Sequence, residues 1–300
     1  MRLRKSPLYG KSEYLWYITP GLIVMVLVFV YSIIRVIQLS FIRVAKTVTE
    51  VDTFVGLTNY KLLFSEQPFI DALKHNVTML LIVPPILVLL SIIISAILYD
   101  EIKGWKIYRS LVFLPYVLAI PVVGVVFTYI FMKYGILNTI LTSINLDFLA
   151  LDWLGNPKIA LYSIMIVIIW KELGFGVILF LARLSSIDIE IFEAARIDGA
   201  GWWKLLRYIT IPQLRGIIEF YVVIEAITML SWVFNYVFVM TAWGGPGTST
   251  YILEFYIWLN AFRYNRMGYA TASAVILLVV TSALIFLWLR LRKRMDYEYV

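Results

Sequence analysis

Long apolar runs separated by short polar connections dominate the chain. Six of them, at roughly 16–41, 77–98, 110–132, 159–181, 217–240 and 268–289, match the about 20 residues a helix needs to cross a ~30 Å hydrocarbon core. Their length without alternation favours helices over strands, because a helix satisfies its own backbone hydrogen bonds in lipid. The pattern therefore predicts an all-α membrane protein with six transmembrane helices over 16–289, a tail at 1–15 and a basic tail at 290–300. One polar interruption stands apart. Between Ser185 and Gly216 the chain reads SSIDIEIFEAARIDGAGWWKLLRYITIPQLRG, a helix–Gly–helix element between two spans.

Composition supports this class. Hydrophobic residues make up 62% and charged residues 15% of the 300, where a soluble domain carries about 25% charged. The net charge of +7 has no basic face interleaved with aromatics, so no nucleic-acid partner is implied. Its distribution is topological. Sixteen Lys and Arg, among them Arg2, Arg4, Lys103, Arg109, Arg183, Arg196, Lys204, Arg207, Arg215 and Arg290, lie in the tails and alternate connections, against eight in the others. The positive-inside rule then puts both termini and the 185–216 element in the cytoplasm. The first apolar run outlasts a signal-peptide core and lacks a cleavage site, so it reads as a retained span.

The external connections fall near 42–76, 133–158 and 241–267, and none is large enough to bind a substrate alone. Short interfacial helices are expected there, one carrying Asp71–Lys74 with Phe69, Ile70 and Leu73 toward the membrane. Within the cytoplasmic element, Ser185 or Ser186 can cap a helix starting near Ile187, with Asp188 and Glu190 in its first turn. Gly199 breaks or bends it, and Asp198 can cap the second helix. Trp202, Trp203, Leu205, Leu206 and Ile209 then form an apolar face, and Pro212 turns the chain into the fifth span. A plain interfacial helix with tryptophans at headgroup level fits the same pattern.

Charges inside spans are costly, about 2.5–3.5 kcal/mol each at a helix centre. Lys171 and Glu172 sit there in the fourth span and must face protein or a wet cavity. As neighbours they point in different directions, which makes Glu225 in the fifth span the expected partner of Lys171. Lys171, Glu172 and Glu225 are candidates for a translocation pathway or gate, or for an interhelical brace. Trp232, Phe234 and Tyr236 are candidates for the fifth-span cavity face. Glu219 can reach cytoplasmic water, and Arg35 can snorkel outward.

Bond-making chemistry finds no support. The chain has no Cys and one histidine, His75, which reads as a local hydrogen-bonding residue, and no metal site is expected. Gly244-Gly245-Pro246-Gly247 lacks the Lys-Ser/Thr of a phosphate loop and reads as a compact external turn.

Several motifs resemble one family. Glu193-Ala194-Ala195, then Asp198-Gly199-Ala200, with Ile209 and Pro212 downstream, resembles the EAA loop of binding-protein-dependent type I ABC-importer permeases. Phe54-Val55-Gly56-Leu57 with Asn59-Tyr60, Tyr134-Gly135-Ile136-Leu137-Asn138, and Trp243-Gly244-Gly245-Pro246-Gly247-Thr248-Ser249-Thr250 followed by Ala261-Phe262 and Gly268-Tyr269-Ala270 resemble its MalF/UgpA-like carbohydrate branch. The resemblance covers nearly the whole chain from about residue 15, and departs from the family at Ile211 and Asp188. It implies a MetI-like six-span core in a bacterial or archaeal cell membrane, and an element at 185–212 that docks on a separate ATPase through Glu193, Ala194, Ala195, Asp198, Gly199, Ala200, Trp203 and Pro212.

The implied partners are a homologous second permease subunit, two ATP-binding cytoplasmic subunits, an extracellular or periplasmic sugar-binding protein, a carbohydrate substrate and membrane lipid. No cofactor would be bound by this chain, with ATP and Mg on the partner ATPase. Two rival classes remain at this point, an ion-coupled secondary transporter and a scaffold recruiting a cytosolic partner. The first calls for inverted repeats and a pair of broken mid-membrane helices, neither of which the sequence displays.

Overall fold

The computed structural model describes residues 11–45, 50–241 and 244–296. Arg2, Arg4, Lys5, Lys46, Trp243 and residues 297–300 lie outside that range, and with them the tryptophan of the Gly-rich run and most of the first tail. Two compact units are present, residues 1–63 with 257–276, and residues 64–256 with 277–300.

In the first unit, α1 (Lys11–Met25), a π turn at Val26–Val30 and α2 (Tyr31–Ser40) follow one another as a helical rod. None of the most apolar window of Trp16–Ser40 is buried, which leaves that surface for lipid or another chain. The rod leads into a two-residue antiparallel pair, β1 (Ile42–Arg43) with β2 (Thr53–Phe54), and then α3 (Thr58–Leu63). Asn59 holds this corner. Its side-chain amide donates to the carbonyls of Ser40 (2.9 Å) and Ile42 (3.1 Å). Gly268, at the start of α14 (Met267–Asp296), lies against the Ile42 carbonyl so closely that a side chain has no room.

The second unit is built on α8 (Ala160–Leu184), whose most apolar window is 61% buried against 39% or less for the other straight candidate spans, so α8 is its centre. α4 (Gln67–Tyr99) and α11 (Ile211–Ser231) pack beside it through Met79, Val83, Leu87, Leu214 and Met229, all fully buried. α5 (Trp105–Val117) approaches α8 where Gly174 meets the backbone of Val112 and Phe113. A small residue there lets two helices touch main chain to main chain.

Five helices are long and apolar enough to cross a membrane, and a sixth span arises if one bent pair is counted as one. Four sequence expectations change. Asp71–Lys74 is not on a separate interfacial helix, because Pro68 opens α4 itself at a position where its missing N–H costs nothing. The run at 110–132 is two helices, α5 and α6 (Ile120–Phe131), and the membrane-length apolar stretch there is Ile120–Ser143, which includes α7 (Ile136–Ser143). Leu118 and Ala119 are extended (ψ 141° and 133°), and Pro121 falls in the first turn of α6, where its missing N–H costs nothing. The fifth span breaks after Ser231 and resumes as α12 (Phe234–Met240) at a 48° bend. Finally, Pro212 does not turn the chain. α10 (Trp202–Leu205), a π turn at Leu206–Thr210 and α11 form one helix from Trp202 to Ser231, the wide turn accommodating the proline's absent donor.

Candidate functional site

Two places bring the candidate residues together. The first is the polar element after α8. Ser185 and Ser186 do not cap a new helix; their hydroxyls turn back to the carbonyls of Leu181 (2.9 Å) and Arg183 (2.7 Å) and close α8. The next helix, α9 (Ile189–Ile197), starts behind Asp188, which makes no side-chain capping bond. Asp198 ends α9 rather than capping the following helix, whose N-cap is Gly201. Gly199 then takes φ +78°, while its N–H reaches Arg196 O (3.0 Å) and the Ala200 N–H reaches Ala195 O (2.9 Å). This is a Schellman closure, which requires a left-handed residue and therefore favours glycine.

The buried face of α9 is Phe192, whose ring packs 5.2 Å from Tyr99 at the end of α4. Arg196 pairs with Asp100 at 2.7 Å. A groove of about 500 Å³ runs alongside, lined by Tyr99, Asp100, Glu101, Ser185, Phe192 and Arg196 among others. The outer face carries exposed Glu193, Ala194 and Asp198, with Ala195 and Ala200 half-buried. Ile197 is 86% exposed, and Trp203 is 71% exposed with the Trp202 ring edge-to-face against it at 4.7 Å. Pro212 is exposed on the continuing helix.

The second place lies between α5, α8, α11 and α12. Lys171 (5% exposed) donates to the Tyr116 carbonyl (3.1 Å) and to its own neighbour Glu172 (3.4 Å). The expected Lys171–Glu225 ion pair is therefore corrected to Lys171–Glu172. The two side chains bend toward each other because both are enclosed and neither can leave its charge unmatched. Glu225 is 1% exposed, and its Oε2 has no hydrogen-bond partner. Of the three aromatic candidates only Tyr236 joins the cluster, donating to Glu172 Oε1 at 3.3 Å. Trp232 is 61% exposed at the helix break, and Phe234 stacks on Phe238 (5.3 Å).

The Gly-rich run is a tight turn. Gly244, Gly245 and Gly247 have φ of +107°, +78° and +63°, and the chain closes through Thr250 N–H to Gly244 O and Ser249 N–H to Pro246 O. Thr248 donates to Asp71 at 2.6 Å, and His75 bonds the Tyr251 carbonyl at 2.8 Å, the local role expected for that histidine. In the other motif, Asn138 donates to Lys133 O (2.9 Å) and Leu151 O (2.8 Å) and accepts from Trp153 (2.8 Å). Glu254, in α13 (Leu253–Trp258), was missed by the sequence reading. It accepts the Phe234 N–H at 2.8 Å and so caps the half-helix after the break. Burial pushes its carboxyl up to about 7, against the opposing pull of backbone N–H bonds from Phe234 and Val233.

With that geometry in hand, three comparisons bear on function. Residues 54–297 match the family model described as binding-protein-dependent transport system inner membrane component. A probable ABC transporter permease protein of Pyrococcus horikoshii is 32% identical over 289 residues, covering 96% of this chain and 97% of that protein. The diacetylchitobiose uptake system permease protein of Streptomyces coelicolor is 33% identical over 79% of this chain and 71% of its own length. Among solved structures, a chain of a bacterial alginate ABC transporter, crystallised with its alginate pentasaccharide-bound periplasmic protein, is similar with a TM-score of 0.77, 26% identity and coverage of 97% and 98%.

Proposed function

This chain belongs to the family of binding-protein-dependent transport system inner membrane components, and we propose that its 185–212 element is the part on which a separate ATPase subunit acts. The chain is a permease subunit of the carbohydrate-uptake branch of ABC importers, a transport subunit and not an enzyme. The one bent span among the described residues, α11 with α12, is not the pair of broken helices that a secondary transporter calls for, and the family match places the chain among ABC-importer permeases.

One observation carries the coupling reading: Ile197 and Trp203 stand exposed on either side of a Gly199 knuckle. Apolar side chains presented this way on a polar element fit a docking surface. On this reading Glu193, Ala194, Ala195, Asp198, Ala200 and Pro212 frame the contact. The chain crosses the membrane six times, with α10–α12 as one bent span and both termini in the cytoplasm, and pairs with a second permease and two ATP-binding subunits. An external sugar-binding protein delivers its cargo toward the 133–158 and 241–267 connections. ATP binding draws the ATPases together, the 185–212 element carries that movement into the spans, and hydrolysis resets them. Lys171, Glu172, Glu225 and Tyr236 lie along the route or its gate.

Gly199→Val tests the coupling. A β-branched residue is disfavoured at φ +78°, although no atom within 4 Å blocks its Cβ. Binding-protein-stimulated ATP hydrolysis by the reconstituted complex should fall at least about tenfold with membrane insertion intact, whereas Gly199→Asn, whose side chain tolerates the left-handed region, should retain most of it. Normal stimulation in the valine variant would argue against the assignment.

A further inference from the structure

The first unit holds a basic pocket that the transport cycle does not use. It measures about 260 Å³ and lies wholly within that unit, between β1, α3 and the start of α14. Arg43, Arg266, Asn265 and Tyr269 are among its lining residues, none of which is acidic. Thr58 and Asn59 also face it, but their hydrogens go to the carbonyls of Val55 (2.7 Å), Ser40 and Ile42. The two guanidinium groups are therefore its charged donors. Asp52, beside β2, has its Oδ1 on the Ala45 N–H at 2.8 Å.

Arg266 is held from several sides. A left-handed turn at Asn265 (φ +50°) and a bond from its own N–H to the Asn260 carbonyl (2.7 Å) fix its backbone. The ring centres of Tyr264 and Tyr269 lie 5.9 and 5.7 Å from its guanidinium carbon, which orients the planar fork. α14 begins at Met267 in the pocket wall, so the positive pole of a long helix adds to the two arginines.

Position indicates where a matching anion comes from. The apolar stretch Trp16–Ser40 ends just before Arg43, and the stretch Met267–Arg290 starts directly after Arg266. Two helices of membrane length thus end at one corner, and such a corner sits at headgroup level. Val44, Leu62 and Met267 give the pocket an apolar wall beside its charged one. Its volume is below the roughly 300–1,000 Å³ of pockets that enclose a whole small molecule. A phosphate whose tails remain in the bilayer fits both features, and two cations disfavour a headgroup that carries an ammonium.

We propose that this pocket binds the phosphate of an anionic phospholipid headgroup, such as phosphatidylglycerol, and so ties the end of the rod and the start of α14 to the membrane surface. Its place on the outer face rests on the permease reading; the recognition rests on the pocket.

The test uses the assembled complex in phosphatidylcholine vesicles with and without phosphatidylglycerol. This chain has no cysteine, so Leu62→Cys, in the pocket wall and 42% exposed, is the single reporter once the partner subunits are freed of theirs. Phosphatidylglycerol should slow its labelling by a neutral maleimide at least about fivefold, and phosphatidylethanolamine or millimolar inorganic phosphate should not. Arg43→Gln with Arg266→Gln should abolish the slowing. Should that pair fail to assemble, Arg43→Gln alone, at an exposed position, should weaken it at least about twofold. Ile136→Cys, 61% exposed in the 133–158 connection, should be unaffected, which separates the pocket from a general effect of membrane charge.

Equal slowing by the zwitterionic lipid, by phosphate alone or at Ile136→Cys, full slowing in the double variant, or none at all overturns the proposal. So does protection that appears only with the external binding protein, whose carboxylates would then be the occupant. Binding-protein-stimulated ATP hydrolysis by the same preparation reports the permease reading independently, so the two failures are distinct.

Discussion

Replacing Gly174 by alanine should destabilise the protein by about 2 kcal/mol, and the reason lies in what the new methyl group would meet. A Cβ there falls 2.5 Å from the Val112 carbonyl oxygen and 2.9 Å from Phe113 Cα, both backbone atoms of α5. Ordinary contact begins at 3.4 Å, so α5 must retreat by roughly the difference, because main chain offers no rotamer to relieve the clash. Overpacking of this kind costs about 1–3 kcal/mol, and the rigid obstacle argues for the upper end. Exchange of glycine for alanine inside a helix returns roughly 0.5–1 kcal/mol, which leaves the net figure above. The retreat has a second effect. Val112 lies one helical turn before Tyr116, whose carbonyl accepts from Lys171 at 3.1 Å, so a shift of that size stretches the bond beyond useful length.

Thermal unfolding of the purified complex, followed by tryptophan fluorescence, supplies the measurement. Gly216→Ala is the control, since nothing lies within 4 Å of the methyl group it would add on α11. It should raise the midpoint slightly while Gly174→Ala lowers it. A Gly174→Ala protein as stable as the parent, with the control behaving as described, would refute the claim that main-chain contact sets the spacing of α5 and α8.

Two other contacts give measurable outcomes. The Arg196–Asp100 pair has side chains 50% and 33% exposed, so a double-mutant cycle with alanine should return only about 0.2–1 kcal/mol of stability, while the swap Arg196→Asp with Asp100→Arg should recover stimulated ATP hydrolysis lost in either single exchange. Glu254 binds its proton more tightly folded, at about 7, than its ordinary value of 4.5, so its contribution to stability is full below about pH 4.5 and is lost as pH rises through about 7. Unfolding midpoints across that window should lose this dependence in Glu254→Gln, whose side-chain oxygen still accepts from Phe234.

The membrane class, the positions of most long apolar helices and the Gly199 knuckle were legible because each has a local cause: apolar length for the first two, and for the third a residue that tolerates positive φ. The break at 118–119 also had a local cue, Pro115 and Pro121, hidden inside a run that satisfied the length criterion. The break at Trp232–Val233 had none. No glycine or proline marks it, and the group that satisfies the freed Phe234 N–H is Glu254, twenty residues downstream. The Lys171–Glu172 pairing escaped for a related reason. Helical geometry sends neighbours apart, and only enclosure by Tyr116 and Tyr236 makes their convergence worthwhile. Asp100 was invisible because its partner Arg196 is 96 positions away.

The unbroken helix from Trp202 to Ser231 has a mechanical consequence. At 1.5 Å per residue it is a stiff strut about 45 Å long with one end at the proposed ATPase contact. A shove at Trp203 cannot be absorbed by a loose joint at Pro212, since none exists there. The nearest place where the strut can yield is the bend at Trp232, immediately before the short segment that carries Tyr236.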